Sequence, residues 1–322
     1  MKTIKVSCVL ITHNRLKLLE RAVESVMKQT YSNIELIVVD DASSDGTQEY
    51  GKKLIRSGYK YIYISPEESK GGNYARNCGI RACTGDFIAF LDDDDYWIPE
   101  KTEKQVTYFF EHPDVGMVYS GWTVDYGNAV LNYKRIPSKN YCGNIVEKQL
   151  YISPFTSTIT MMVRKDILDQ IKGFDENLKY WQEYELVLRI IQVTNVGFVE
   201  MALSVANRER NVKRLTSQFD DWNSAVNYIN DKHKELFARL STENSRKREE
   251  YYYKEAAYRV SMCGDFKRMK EYYYKAYMIN PKLEYLIRYK FGISKNHTIL
   301  IESLIMKVLY WKTKFLYMRC LL

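Results

Sequence analysis

The stretch Thr84-Gly85-Asp86-Phe87-Ile88-Ala89-Phe90-Leu91-Asp92-Asp93-Asp94-Asp95-Tyr96-Trp97-Ile98-Pro99 decides how the rest of the chain is read. Phe87 to Leu91 is a short apolar run opened by a Thr-Gly-Asp turn, the pattern of a buried central strand, and it runs straight into four carboxylates. Adjacent acids at a strand end repel one another unless something positive sits among them. In an open parallel sheet, ligands bind beyond the carboxyl ends of the strands. The position therefore suits a hard divalent cation that bridges carboxylate and phosphate oxygens. A solvated acidic loop is the plain alternative. Here the run is held between an apolar strand and the apolar Tyr96-Trp97-Ile98, where unpaired charge is costly, and that favours the site.

Upstream, Val6 to Ile11 is a β-rich run, and Leu16 to Gln29 places Leu18, Leu19, Ala22, Val23, Val26 and Met27 at helical spacing. A second strand, Ile34 to Val39, ends in Asp40-Asp41-Ala42-Ser43-Ser44-Asp45-Gly46-Thr47, whose short polar residues suit a turn and a helix cap. A third strand, Tyr59 to Ile64, leads to Lys70-Gly71-Gly72-Asn73-Tyr74-Ala75-Arg76-Asn77-Cys78-Gly79-Ile80, and the acidic strand follows. Successive strand-loop-helix units put their polar loops on one edge of a parallel sheet, so these loops converge on the Asp run.

That convergence has the chemistry of a nucleotide site. Asp40 or Asp41 can accept from a base N–H, Thr12 and Asn14 offer donors to base or ribose, and Arg76 can pair with phosphate. The plain readings are turn and cap duty for the aspartates and a surface cation for Arg76. Gly71-Gly72 with Gly79 is not a G-x-G-x-x-G pattern, so a dinucleotide fingerprint is absent.

Four stretches, Val9 to Arg15, Val38 to Thr47, Ala75 to Ile80 and Phe90 to Asp95, resemble in order and spacing the family 2 inverting glycosyltransferases with a GT-A fold. Each motif is weak alone, but four in the right order over about 90 residues agree across levels. The resemblance implies an α/β fold, a Rossmann-like, mostly parallel sheet flanked by helices. It also implies a nucleoside-diphosphate sugar donor, UDP-linked, and a Mn²⁺ or Mg²⁺ cofactor. On this pattern Thr12 and Asp41 lie near the base, Asn14, Arg15 and Arg76 serve the nucleotide, Asp92 and Asp93 reach the ribose side, and Asp92 and Asp94 hold the metal.

Further on, Glu100 to His112 reads as a helix entered through Pro99, Val115 to Ser120 as a strand, Asp125 to Asn144 as a loop or edge hairpin, and Thr156 to Arg164 as a strand. Gly173-Phe174-Asp175-Glu176 and Gln182-Glu183-Tyr184-Glu185-Leu186 resemble the family's acidic motif that supplies the general base. Glu183 aligns with that base, one methylene longer than the usual Asp. Trp181, Gln182 and Glu185 are assigned to the acceptor or to support of the base. An attacking sugar hydroxyl needs such a carboxylate to take its proton. The plain reading of Glu183 is a helix N-terminal charge worth only ~0.3 to 1 kcal/mol. Where many relatives carry an Arg-x-His motif facing the diphosphate, this chain has Arg208 to Ser217 without a His, which leaves Arg210 or Arg214 as substitutes.

Lys and Arg number 48 against 40 Asp and Glu, a formal charge of +8 that favours acidic partners. The six cysteines show neither Cys-x-x-Cys spacing nor clustering with histidine, so no disulfide framework or zinc site is indicated. No signal peptide and no membrane-spanning run is read, which fits the cytosol. From Asp220 the chain reads helical, with Tyr253, Ala257, Gly264, Met269, Tyr273, Ala276 and Pro281 resembling one tetratricopeptide-like hairpin. The tail His297 to Leu322 mixes apolar residues with cations, a composition for the anionic inner face of a membrane or for docking on protein.

The expected organisation is a catalytic domain over residues 1–215 and a helical region over 216–322. The expected partners are a nucleotide-sugar donor and a glycan or lipid-linked acceptor in bacterial surface polysaccharide synthesis, without nucleic acid. Two rivals remain: a nucleotidyltransferase, which would release pyrophosphate, and a catalytically inactive glycan-binding or scaffold protein, which sugar-nucleotide turnover would dismiss.

Overall fold

The computed structural model describes residues 4–127, 132–136, 142–151, 157–208 and 219–292. The chain falls into two compact units, one of Met1–Gln149 with Ser153–Lys213 and one of Leu150–Ile152 with Arg214–Leu322.

The first unit opens with alternating strands and helices: β1 (Val6–Thr12), α1 (Leu16–Met27), β2 (Ile34–Asp41), α2 (Thr47–Arg56), β3 (Lys60–Ile64), α3 (Gly72–Ala82) and β4 (Phe87–Asp92). It continues through β5 (Tyr96–Trp97), α4 (Lys101–Glu111), β6 (Val115–Asp125), β7 (Tyr133–Arg135), α5 (Val146–Tyr151), β8 (Met162–Arg164), α6 (Lys165–Gln170), α7 (Gln182–Ile190) and β9 (Asn195–Asn207). The strands form one sheet in the order β3-β2-β1-β4-β8-β6-β9-β5, with β7 paired to β6. β3, β2, β1 and β4 are parallel, whereas β8 runs antiparallel to both β4 and β6. β9 runs parallel to β6, and β5 and β7 pair antiparallel, so the sheet as a whole is mixed.

Almost every residue of β1, β2 and β4 is buried, which is the signature of a strand covered on both faces. Leu19, Ala22, Val23 and Val26 supply the covering face of α1, at the spacing the sequence predicts. α3 approaches β1 so closely that a Cβ on Gly79 would sit 2.4 Å from Val9 Cγ1. Glu35 ties the opposite edge together. Its carboxylate accepts from the Ser7 hydroxyl at 2.5 Å and from the backbone N–H groups of Thr84 and Gly85, and it pairs with Lys5 and Lys60.

Some expectations change. The strand read over Thr156 to Arg164 is strand only at Met162–Arg164. Thr158–Thr160 is instead a 3-10 turn, in which the Thr160 hydroxyl donates back to the Ser157 carbonyl at 2.9 Å and competes with ladder pairing. Thr156 lies outside the described residues. β6 runs five residues beyond the expected Ser120, and β9, one of the longest elements, was not anticipated. The pairing of β6 with β9 shifts register three times, which breaks the two-residue alternation that marks a strand in sequence.

The second unit contains α8 (Phe219–Lys232), α9 (Lys234–Phe237), α10 (Thr242–Met262), α11 (Phe266–Ile279) and α12 (Leu283–Phe291). Ser241 and Asp265 cap α10 and α11 by accepting from the N–H groups of Asn244 and Arg268. Ala257, Met269, Tyr273 and Ala276, singled out by spacing, are buried where α10 and α11 pack together. Among the described residues, no helix is long and apolar enough to cross a membrane. Arg210, Arg214 and the tail from His297 lie outside the described residues.

Candidate active site

The parallel register brings the predicted loops to one sheet edge. Thr12 stands opposite Asp40 across β1 and β2, and Ile11 stands opposite Asp92 across β1 and β4. The carboxyl ends of β1, β2 and β4 are thus level, as a ligand crevice requires.

The four aspartates do not act alike. Asp93 and Asp95 are buried, whereas Asp92 and Asp94 are partly exposed. Asp93 accepts from the Thr12 hydroxyl at 2.8 Å and from Arg15 Nη1 at 3.1 Å, and burial pushes its carboxyl up to about 6 against the pull of that arginine. Asp95 accepts from the Asn207 N–H at 3.0 Å, which ties the loop to the end of β9. Burial holds it well above the usual carboxylate range, with the charges of Asp94 and Asp92 adding to the effect. Arg15 Nη1 also lies 3.4 Å from Asp94, and Arg76 Nη2 lies 2.7 Å from Asp92 Oδ1. Asp93 thus faces inward, where it holds Thr12 and Arg15.

The two aspartates at the end of β2 also separate. Asp40 accepts from the Ser43 N–H of the turn and from the hydroxyl of Tyr61 on β3, so both of its oxygens are engaged by the protein. Among the described residues, Asp41 Oδ1 is buried without a hydrogen-bond partner. Asn14, in the left-handed region at φ 54, donates its N–H to Ser43 Oγ at 2.8 Å and accepts from the Ser44 N–H at 2.7 Å. It staples the first loop to the second. Thr12 likewise commits its hydroxyl proton to Asp93 and leaves only its acceptor capacity toward a ligand.

Glu183 sits in the first turn of α7, partly exposed, with Trp181 immediately before that helix at φ 57. A non-glycine residue at positive φ is strained, and such residues cluster at functional sites. The Trp181 ring packs on Tyr184 at a centroid distance of 4.9 Å. Gln182 opens the helix beside it. Glu185 is fully buried and binds Arg189 through Nε and Nη2 at 2.9 and 2.6 Å, while Arg189 Nη1 donates to the carbonyls of Ile171 and Gly173. Glu185 thus holds Arg189, which locks α7 to the preceding loop. Gly173 needs its φ of +67, and a Cβ there would meet Asn77 Oδ1 at 2.4 Å.

The donor set suits a hard cation. Asp92 and Asp94 offer carboxylate oxygens at the partly exposed strand end, the ligand type that Mg²⁺ and Mn²⁺ prefer. Among the described residues, no group of three or more His, Cys, Asp or Glu side chains is gathered to hold an ion. The fit is to an ion held by one or two carboxylates and completed by substrate phosphate and water.

Sequence reasoning missed Arg21 and Ser43. Arg21 Nη2 donates to the Asp94 carbonyl at 2.8 Å, and its guanidinium lies 5.0 Å from the Tyr96 ring centroid. Nothing in its spacing separates it from a surface cation on an amphipathic helix.

Comparison with known proteins gives a consistent picture. A model of the family described as Glycosyl transferase family 2 matches residues 7–172, just over half of the chain. An uncharacterised glycosyltransferase of Rickettsia prowazekii is 29% identical over 201 residues, which cover 60% of this chain and 60% of that protein. The chain thus spans well under two thirds of that relative. The Escherichia coli protein WfgD, named as a UDP-Glc:alpha-D-GlcNAc-diphosphoundecaprenol beta-1,3-glucosyltransferase, is 29% identical over 194 residues, covering 60% of this chain and 72% of that protein. The crystal structure of S. aureus TarS residues 1–349 in complex with UDP-GlcNAc superposes with a TM-score of 0.59 at 18% identity, covering 90% of this chain and 79% of that one.

Proposed function

The chain belongs to glycosyl transferase family 2 and has the GT-A fold, and from that premise we propose that it transfers a sugar from a UDP-linked donor to a hydroxyl of a lipid-linked glycan, with inversion at the anomeric carbon. The observation that carries the donor reading is Asp41 Oδ1, a buried acceptor for which no donor is found among the described residues, at the edge where the loops meet. Leaving such an atom unsatisfied costs about 1 to 3 kcal/mol, and a base N–H would relieve it.

In this reading Asp41 accepts from the base, and Arg76 and Arg15 supply positive charge on the diphosphate side. Asp92 and Asp94 would hold Mn²⁺ or Mg²⁺, which when bound would stabilise negative charge on the departing diphosphate. Glu183 takes the proton of the acceptor hydroxyl as that oxygen bonds to the anomeric carbon. The bond from that carbon to the diphosphate oxygen breaks on the opposite face, and UDP leaves with the electron pair. Trp181 and Gln182 border the acceptor, and Glu185 holds α7 in place.

The name of the E. coli relative supports a diphospholipid-linked acceptor, and with it a role in bacterial surface polysaccharide synthesis. The formal charge of +8 and the basic, apolar tail support a cytoplasmic protein that rests on the anionic inner face of the membrane. We assign catalysis to residues 1–215 and this attachment to the region after them.

The test is a panel of nucleotide sugars with Mn²⁺, read as nucleotide release, with UDP and GDP titrated calorimetrically into the wild type and Asp41→Asn. Turnover of a UDP-sugar, with UDP affinity lowered roughly tenfold in the variant, supports the reading. Equal UDP affinity in both proteins, or preference for GDP, overturns the donor assignment.

A further inference from the structure

Asn73 lies on the first turn of α3, is 5% exposed, and has no role in the reaction described above. Its amide joins two parts of the site. Asn73 Oδ1 accepts from Arg76 Nη1 at 3.3 Å, and the same guanidinium reaches Asp92 at 2.7 Å through Nη2. On its other side Asn73 Nδ2 donates to the Asp175 carbonyl at 2.8 Å and the Leu178 carbonyl at 2.7 Å. Those two carbonyls bracket a tight turn, closed by the Leu178 N–H donating to the Asp175 carbonyl at 3.2 Å. The chain then passes through buried Tyr180 and the left-handed Trp181 into α7, where Glu183 stands five positions after Leu178.

A continuous chain of hydrogen bonds therefore runs from the carboxylate at the end of β4, through Arg76 and Asn73, to the turn that launches the Glu183 helix. One turn further along α3, Asn77 donates to the Phe174 carbonyl at 2.9 Å and accepts the Phe174 N–H at 2.8 Å, so the start of the same loop is fixed independently. Asn77 also donates to Glu176 Oε1 at 2.8 Å, and the Phe174 ring lies 5.5 Å from the Arg76 guanidinium; of the two asparagines, Asn73 is the one hydrogen-bonded to Arg76.

We propose that Asn73 is a positioning residue that sets the Glu183 carboxylate in register with the bound donor, by clamping the 175–178 turn to the arginine that pairs with Asp92. The inference rests on the assignment of Glu183 as the base. Losing the amide removes the Asn73 donor from both carbonyls, leaves the Asp175 carbonyl with the Leu178 N–H, and loosens the turn from Arg76; displacement of a reacting group by about 1 Å lowers rates by as much as 10²-fold.

The experiment compares full-length wild type, Asn73→Ala, Glu183→Gln and the double variant. The rate is UDP release from UDP-glucose with a diphospholipid-linked α-GlcNAc acceptor, and donor affinity is the calorimetric Kd of UDP. Asn73→Ala is expected to lower kcat at least tenfold with the UDP Kd within about threefold of wild type. If Asn73 acts through the base, the double variant is no slower than Glu183→Gln, because a misplaced base cannot matter once the base is gone. Losses that multiply in the double variant, or a UDP Kd that rises while kcat stays constant, overturn the proposal. An unchanged rate for Glu183→Gln alone instead removes the base assignment. Should Asn73→Ala fail to fold, Asn73→Ser retains a donor for one carbonyl and should show the same non-additivity with a smaller loss.

Discussion

Arg76 Nη2 lies 2.7 Å from Asp92 Oδ1, and this pair fastens α3 to the carboxyl end of β4, with the arginine side chain only 6% exposed and the aspartate 31%. Removing one partner of a largely buried, hydrogen-bonded pair leaves the other charge poorly compensated. Arg76→Met is therefore expected to weaken UDP binding roughly tenfold or more. Calorimetric titration of UDP checks this, and an unchanged Kd would take Arg76 out of the nucleotide site.

Asp94 reaches Arg15 at 3.4 Å and, in the proposed function, is a metal ligand beside Asp92. Asp94→Ala should abolish Mn²⁺-dependent turnover and remove the part of UDP affinity that depends on the ion, while the affinity measured in chelator stays near wild type. Retained metal stimulation in this variant would sink the assignment.

Glu183→Gln keeps the shape of the side chain and removes its basicity. The expected result is an unchanged UDP Kd with transfer slowed by roughly 10² to 10⁴. Pre-steady-state measurement of UDP release reads this directly, and a lost nucleotide affinity would point to a structural role instead.

Glu35 predicts the behaviour of the fold in acid. Burial alone would raise its carboxyl, but hydrogen bonds from Ser7, Thr84, Lys5 and Lys60 hold it down to about 2 from its ordinary 4.5. A depressed carboxylate stabilises the folded state above its unfolded pKa, and that contribution is lost as pH falls through the folded value. Urea melts should thus show wild-type stability declining between pH 4.5 and about 2, with a shallower decline for Glu35→Gln across the same window. Parallel slopes for the two proteins would contradict this account.

The membrane assignment is tested by a chain that ends at Asn296. It should keep its melting temperature and UDP-sugar hydrolysis yet lose salt-sensitive binding to anionic vesicles, since each cation near such a surface contributes about 1 kcal/mol. Unchanged co-sedimentation rejects the assignment, and a lowered melting temperature indicates that the tail covers apolar protein surface instead.

The parallel half of the sheet was legible because its strands are unbroken apolar runs and α1 keeps a clean helical period. β9 was not, because register shifts against β6 scramble its alternation. The turn at Thr158–Thr160 was misread because β-branched residues suit both a strand and a backbone-bonded hydroxyl. Within the candidate site, the motifs named loops that the structure brings to one sheet edge, and the resemblance singled out Asp41, but the physical difference between Asp40 and Asp41 was not legible in the residues themselves. That distinction depends on Tyr61 and Ser43, which arrive from another strand and from the turn itself. Arg21 and Asn73 were silent for a related reason, since their partners lie 73 and 105 positions away along the chain.

The alternation along Asp92 to Asp95 gives the acidic run a parity. Even-numbered members face outward and odd-numbered members are enclosed, although all four are the same amino acid. An insertion or deletion of one residue between Leu91 and Tyr96 would keep an acid-rich run that looks intact in an alignment, while exchanging which carboxylates are enclosed and which are offered. Counting acids in related chains therefore says little about whether they retain the site.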